Sequence, residues 1–264
     1  MDYYGQGMDT DEGARTSYLL EDLSADLNLG LEFFGFRAGL TGGVVVVDTG
    51  SGNRGGFPSI EEVFTPLDTP GLGTDTDFIR GGGFLQFDYR DIPSGPKSGG
   101  NYMARMRRYS DKATREHSFR QLELVAEQYF PYFNRTRVIA VRVRAHMTFA
   151  NRGRAVPFYL QPTIGGNDDL RGFARYRFYD NNSILASVEH RWHAFTGLDM
   201  AIFVDAGKVA PDKSNLDFSD LEYSAGFGFR GKLQNAVVMR VDFAFGSEGF
   251  RWIWTFSDIF RGLR

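Results

Sequence analysis

Reaction chemistry needs nucleophiles, acid–base pairs or metal donors within reach of one another, and this sequence offers few such sets. The four histidines are His117, His146, His190 and His193; the last two are three positions apart, which on a strand sends them to opposite faces. Cysteine is absent, so disulfides, thiol nucleophiles and thiolate metal sites are excluded. No Gly-x-Ser-x-Gly elbow occurs. The glycine runs GLGTDT and GSGNRGG lack the strand-to-helix setting of a phosphate loop and read as turns. The carboxylates of TDTDF and GGNDD could hold calcium, yet neither follows an EF-hand spacing, and both read as solvated loops. The expectation is therefore a protein without catalytic residues, metal or cofactor. One stretch stands apart: GGNDDLRGF, from Gly165 to Phe173, where two glycines, an amide and two carboxylates precede a single arginine held between a leucine and a glycine–aromatic pair. Arg171 either folds back into an interior or caps a solvated hairpin tip, the usual fate of loops rich in Gly, Asn and Asp.

The elements around that loop decide between the two. On both sides of it apolar and polar residues alternate singly, the pattern of strands whose two faces meet different surroundings. The composition agrees: 15% of the 264 residues are aromatic, among them 25 Phe and 12 Tyr, beside 32 Gly, a β-rich profile with many tight turns. A net charge of −3 from 30 basic and 33 acidic residues leaves no basic surface for nucleic acid. No apolar run approaches the roughly 18 residues of a membrane helix, but a β-barrel escapes that test because only every second strand residue faces lipid. The first residues, MDYYGQGMDTDEGART, are acidic and lack an apolar core, so they do not read as a signal peptide.

In chain order, YYGQG reads as the tail of a strand, and Ser17 to Leu31 sets Leu19, Leu23, Ala25, Leu27 and Leu29 against Asp22, Ser24, Asp26 and Asn28. Glu32 to Val47 reads as a second strand, residues 48 to 77 as a long Gly/Pro loop with a short helix at Ser59 to Phe64, and Phe78 to Asp91 as a third strand. Further strands are expected at Tyr102 to Tyr109, Phe119 to Phe133, Val138 to Phe149, Arg177 to Trp192, Leu198 to Val209, Leu221 to Leu233, Val237 to Phe245 and Phe250 to Phe260. Strand after strand stacks Arg with Asp or Glu on one face, including Arg105, Arg107, Arg142 and Arg144, while the other face ends in aromatics. That arrangement suits a water-filled lumen and a lipid belt with aromatic girdles. The expected fold is all-β: a single antiparallel transmembrane β-barrel domain over residues 1–264, with roughly 12 strands at the usual spacing. A soluble sandwich or lipocalin-like barrel is the alternative, and it would stay in solution without detergent.

At GGNDDLRGF the chain resembles the bacterial surface-antigen superfamily of outer-membrane assembly and secretion barrels, which includes BamA, TamA and the two-partner secretion transporters. The resemblance rests on Leu170, Arg171, Gly172 and Phe173 after the Gly165–Gly166 pair; on SVEHRW, with Glu189 before an aromatic; on the Phe-x-Asp-x-Gly strand of Phe203, Asp205 and Gly207; and on a last strand carrying Phe256 and ending at Phe260. FDYRDIPSGPKSGG is similar to the family's Asp-rich turn before a Gly-Gly strand. These elements cover about two thirds of the chain, and their order is more specific than any one of them.

The resemblance implies a loop folded into the lumen, with Arg171 meeting Glu189 and Asp205, and a terminal aromatic that serves as an assembly signal. It implies a bacterial outer-membrane protein that inserts or translocates other outer-membrane or secreted proteins. Its partners would be the lipid bilayer, unfolded clients and accessory assembly proteins. The alternative is a passive pore or the anchor of a fused passenger. Relatives carry periplasmic domains that this chain lacks, and barrels of about sixteen strands. The chain is therefore expected to be either the C-terminal part of such a barrel or a smaller ring. Either way, uncovered first and last strands would cost several kcal/mol per exposed backbone group in lipid.

Overall fold

The computed structural model describes residues 1–53, 55–150, 154–233 and 236–256. Twelve antiparallel strands form one sheet: β1 (Asp2–Tyr3), β2 (Thr16–Phe33), β3 (Phe36–Ser51), β4 (Thr76–Asp88), β5 (Gly99–Asp111), β6 (Phe119–Tyr132), β7 (Arg137–Ala150), β10 (Asn182–Phe195), β11 (Leu198–Ala210), β12 (Glu222–Leu233), β13 (Ala236–Gly246) and β14 (Gly249–Phe256). The two remaining strands, β8 (Thr163–Ile164) and β9 (Phe178–Tyr179), pair with each other inside the long β7–β10 connection. Strand order follows chain order throughout, a meander that the short turns at one end dictate. The other end carries the long connections, among them the Gly/Pro loop with the one-turn helix α1 (Ile60–Val63).

The alternation of the sequence maps onto two unlike faces. Outward side chains are apolar and uncovered: Leu85 is 66% exposed, Trp252 63% and Phe256 69%. At membrane depth that exposure is contact with lipid. Inward side chains pair as ions across strands, as in Arg90 with Glu127 at 3.2 Å and Arg105 with Glu123 at 3.3 Å, and along one, as in Arg90 with Asp88 at 2.6 Å. Near the long connections the inward positions change character. Val45, Val47, Phe78, Tyr109 and Phe119 are buried under Val156 of the β7–β10 connection. Tyr3, Tyr18, Ile60, Leu72, Phe158 and Tyr179 form a second cluster beside them. This explains the run VVVVD, which breaks the alternation: its outward valines meet lipid and its inward ones meet a dome of loops.

Two boundaries differ from the sequence reading, and a third falls on residues that are not described. The stretch from Glu32 to Val47 is not one strand: Phe34 (φ 48°) and Gly35 (φ 80°) make a two-residue hairpin turn, so that Phe33 pairs with Phe36. Flanking phenylalanines hide a turn whose two left-handed residues suit the right-handed twist of a hairpin. Arg177 precedes β9 rather than opening the next long strand, which starts at Asn182. The last strand is described only to Phe256; Phe260 lies outside the described residues.

Among the described residues no ladder joins β14 to β1 or β2, so the sheet is not closed by strand pairing. Contacts outside the ladder bring its halves together. In the turn before β5, Ser94 C=O accepts from Val237 N–H of β13 at 3.2 Å, and at the opposite end Gly7 N–H donates to Tyr179 C=O at 2.8 Å.

Candidate functional site

The connection from β7 to β10 doubles back on itself. The β8–β9 ladder makes its neck, and residues 165–177 form the tip. Gly165 and Gly166 start the reversal with φ of 113° and 110°, and a Cβ on Gly165 would lie 2.4 Å from Ala174 O, so only glycine fits. Beyond them Asp169 N–H bonds Gly166 C=O at 3.3 Å and Phe173 N–H bonds Leu170 C=O at 3.1 Å, which compacts the tip into consecutive turns.

The tip inserts by two apolar anchors. Leu170 and Phe173, both fully buried, pack with Ile164, Phe178, Leu185 and Val209, and so grip β10 and β11. Between the anchors, the Gly172 backbone lies against the last strands: a Cβ there would sit 2.8 Å from both Gly246 N and Ser224 Cβ.

Arg171 is thereby aimed at the inner faces of β10, β11 and β13. Its Nε and Nη2 donate to the two oxygens of Asp205 at 2.9 and 2.7 Å, a bidentate fork. Nη1 donates to Glu189 Oε2 at 2.9 Å and reaches Asp242 Oδ2 at 3.5 Å, while the guanidinium carbon stands 3.3 Å from the centre of the Phe203 ring. Asp205 also accepts from Ser187 Oγ at 2.7 Å and Ser224 Oγ at 3.1 Å. A buried carboxylate is costly unless each oxygen is answered, and here each is.

The carboxylates are shared outward. Arg230 donates to Asp242 Oδ1 at 2.5 Å and lies 3.1 Å from Glu189 Oε1, which also accepts from Arg191 Nε at 2.7 Å. Arg240 reaches Asp242 at 3.2 Å and donates to Asp168 Oδ1 at 2.9 Å. Four arginines therefore face four carboxylates, so charge balances within the cluster. Room for it comes from small residues on β12: a Cβ on Gly226 would fall 2.6 Å from the Phe203 ring, and one on Gly228 would fall 2.0 Å from Asp242 Oδ1.

Two sequence expectations need correction. Of the two carboxylates of GGNDD, Asp168 stays exposed, as a solvated loop would have it, although its carboxylate pairs with Arg240 and its C=O accepts from Arg142; Asp169 is instead drawn inward into an ion pair with Arg144. Drawn into a basic lumen, Asp169 exchanges water for a guanidinium group. Arg142 and Arg144 thus hold the loop rather than merely line the wall. Asp242, Arg230 and Arg191 share the polar face that the alternation of their strands marks, yet nothing in the sequence reading assigned them to the site. The signal that could have found them is the small-residue spacing Ser224, Gly226, Gly228 in β12, which marks a wall cleared for another segment. Gly207 sits where Ile184 O would meet a Cβ at 2.8 Å, a packing reason for glycine there. Phe256 stands on the lipid-facing side of β14, its ring 5.2 Å from that of Trp254. The histidines do not meet: His190 bonds Tyr132 Oη at 2.5 Å, and His193 contacts Asp199 at 3.1 Å. No group of three or more metal-binding side chains occurs among the described residues.

The sequence pattern of the Omp85 superfamily domain matches residues 4–251. No curated protein matches the sequence. Among solved structures, the chain is similar to the crystal structure of BamA from Haemophilus ducreyi lacking POTRA domains 1-3, with a TM-score of 0.69 and 17% identity. That alignment covers 96% of this chain and 57% of the other, so the chain spans a little over half the length of the solved one.

Proposed function

The chain belongs to the Omp85 superfamily, and on that premise we propose that it is an outer-membrane barrel that inserts or translocates other β-rich proteins, with the 165–173 loop latched inside its lumen. The activity is mechanical rather than enzymatic. The observation that carries the reading is the fork of Arg171 on fully buried Asp205, with Glu189 and Asp242 supplied from two further strands. A surface hairpin tip has no use for three buried counter-charges, whereas a latch needs them to keep a polar loop inside.

The latch fixes one half of the molecule and leaves the edges of the sheet available. The β2 edge beyond Ser17 and the outer edge of β14 carry no strand partner among the described residues. An incoming client segment can add to such an edge by backbone pairing, and lipid supplies the driving force because unpaired backbone groups are costly there. The bilayer and unfolded clients are thus the partners, and accessory proteins would act from the side of the short turns.

Reconstituted into vesicles, the parent should accelerate insertion of an unfolded outer-membrane protein. Arg171→Ala should lose that acceleration and make the loop protease-sensitive, and Arg171→Lys should not restore it, since an ammonium cannot form the fork. A folded Arg171→Ala variant with parental insertion and a protected loop overturns the latch. Conductance across planar bilayers separates this reading from a passive pore, which would conduct with the loop in place.

A further inference from the structure

A second buried arginine serves neither the latch nor the lumen. Arg177 lies where the loop leaves the barrel and is only 2% exposed. Its Nε donates to Glu248 Oε1 at 2.5 Å, in the turn between β13 and β14; its Nη1 donates to Thr10 Oγ1 at 2.6 Å, and its Nη2 to Thr10 C=O. The guanidinium lies 4.7 Å from the Tyr4 ring centre and 4.6 Å from that of Phe178.

These partners belong to opposite margins of the sheet. Thr10 and Tyr4 lie on the segment that links β1 to β2, the first edge, whereas Glu248 lies at the tip of the last hairpin. The N-terminal segment reaches this point across the mouth: Gln6 Nε2 donates to Asp180 at 2.8 Å, and Val209 N–H donates to Met8 Sδ at 3.1 Å. Glu248 depends on the arginine, because its Oε2 is buried without a hydrogen-bond partner. Burial pushes the Glu248 carboxyl up from its ordinary range, and the Arg177 charge pulls it only part of the way back.

We infer that Arg177 is a clasp that holds both margins of the open sheet together at the end of the long connections, and that it must release before those margins part. No strand ladder does this work among the described residues, so one guanidinium with two partners stands in for it. This rests on the proposed insertion activity only in its second half; the first half concerns the resting structure alone.

The absence of cysteine makes the test direct. Spin labels on Asp9→Cys and Ser247→Cys report the distance across the clasp in detergent-solubilised, folded protein, without any client. The parent should give one narrow distribution, and Arg177→Gln a broader and longer one. Glu248→Gln, which removes only the tie to the last hairpin, should reproduce the change should Arg177→Gln fail to fold. Unaltered distributions in the folded variants overturn the clasp. Bridging the same two cysteines with a short cleavable bis-maleimide should then abolish client insertion, and cleavage should restore it. Parental insertion by the bridged protein shows that the margins need not part here, and overturns the required release without touching the latch.

Discussion

The two halves of the sheet are built from the same alternating pattern and end in opposite conditions. From β10 to β13 the inner face is filled: a loop tip, four arginines and their carboxylates occupy it, and Asp205 and Asp242 are fully buried. From β2 to β4 the inner face is nearly bare toward the short turns, beyond the valines and aromatics that the long connections cover. Every residue from Glu21 to Phe33 of β2 is exposed, and glycines face one another across β3 and β4, as in the pair Gly42 and Gly81. A single fork, Arg80 on Asp26, ties β4 to β2 across β3. A strand with one face packed holds its register strongly, and a glycine-rich one with neither face packed holds it weakly. The asymmetry teaches that the latch makes the later strands a rigid wall and leaves the first hairpin as the compliant margin.

Substitutions on either side can break or sharpen that contrast. The largest loss is expected for Arg171→Ala, which strips Asp205 of its guanidinium and leaves three carboxylates under-compensated. Removal of one partner of a buried set costs on the order of 3–5 kcal/mol, so urea unfolding in detergent should show a much lower midpoint. Should the midpoint stay put, the later strands are not the rigid half. Gly172→Val comes next: the new side chain meets Gly246 and Ser224 and should cost about 1–3 kcal/mol by overpacking, read as protease nicking near residue 172. Arg80→Ala removes the fork that ties β4 to β2, but the pair is partly hydrated and its loss is worth at most about 1 kcal/mol. Its clearer readout is faster amide exchange in β2 with no change in β10–β13; equal acceleration of both would erase the contrast. Arg37→Ala, whose Glu32 partner is 67% exposed, should shift stability by less than about 0.5 kcal/mol.

Some of this is legible in the sequence alone. The inward residues Asp26, Glu123, Arg144, Glu189, Asp205 and Arg230 are all on the charged face that alternation assigns. The short helix near Ile60 and the long connections also fall where glycine and proline mark them. The hairpin at Phe34 was not legible, because its flanking aromatics continue the strand composition on both sides. Nor was the inward turn of Asp169, whose surroundings in the chain have the composition of a solvated tip. Arg177 reads as a strand residue, although its partners lie 167 and 71 positions away.

By itself, then, the sequence of GGNDDLRGF and its neighbouring strands determines which residues share a face, since the strand period of two is a property of the local backbone. It also determines that a lone arginine sits between two apolar anchors. Only the tertiary structure decided that Asp242 and Arg230 complete the cluster, that Gly226 and Gly228 clear its bed, and that Arg177 joins the two margins. Those facts depend on register between strands and on a loop returning across the mouth, and long-range pairing of that kind leaves no periodic trace along the chain.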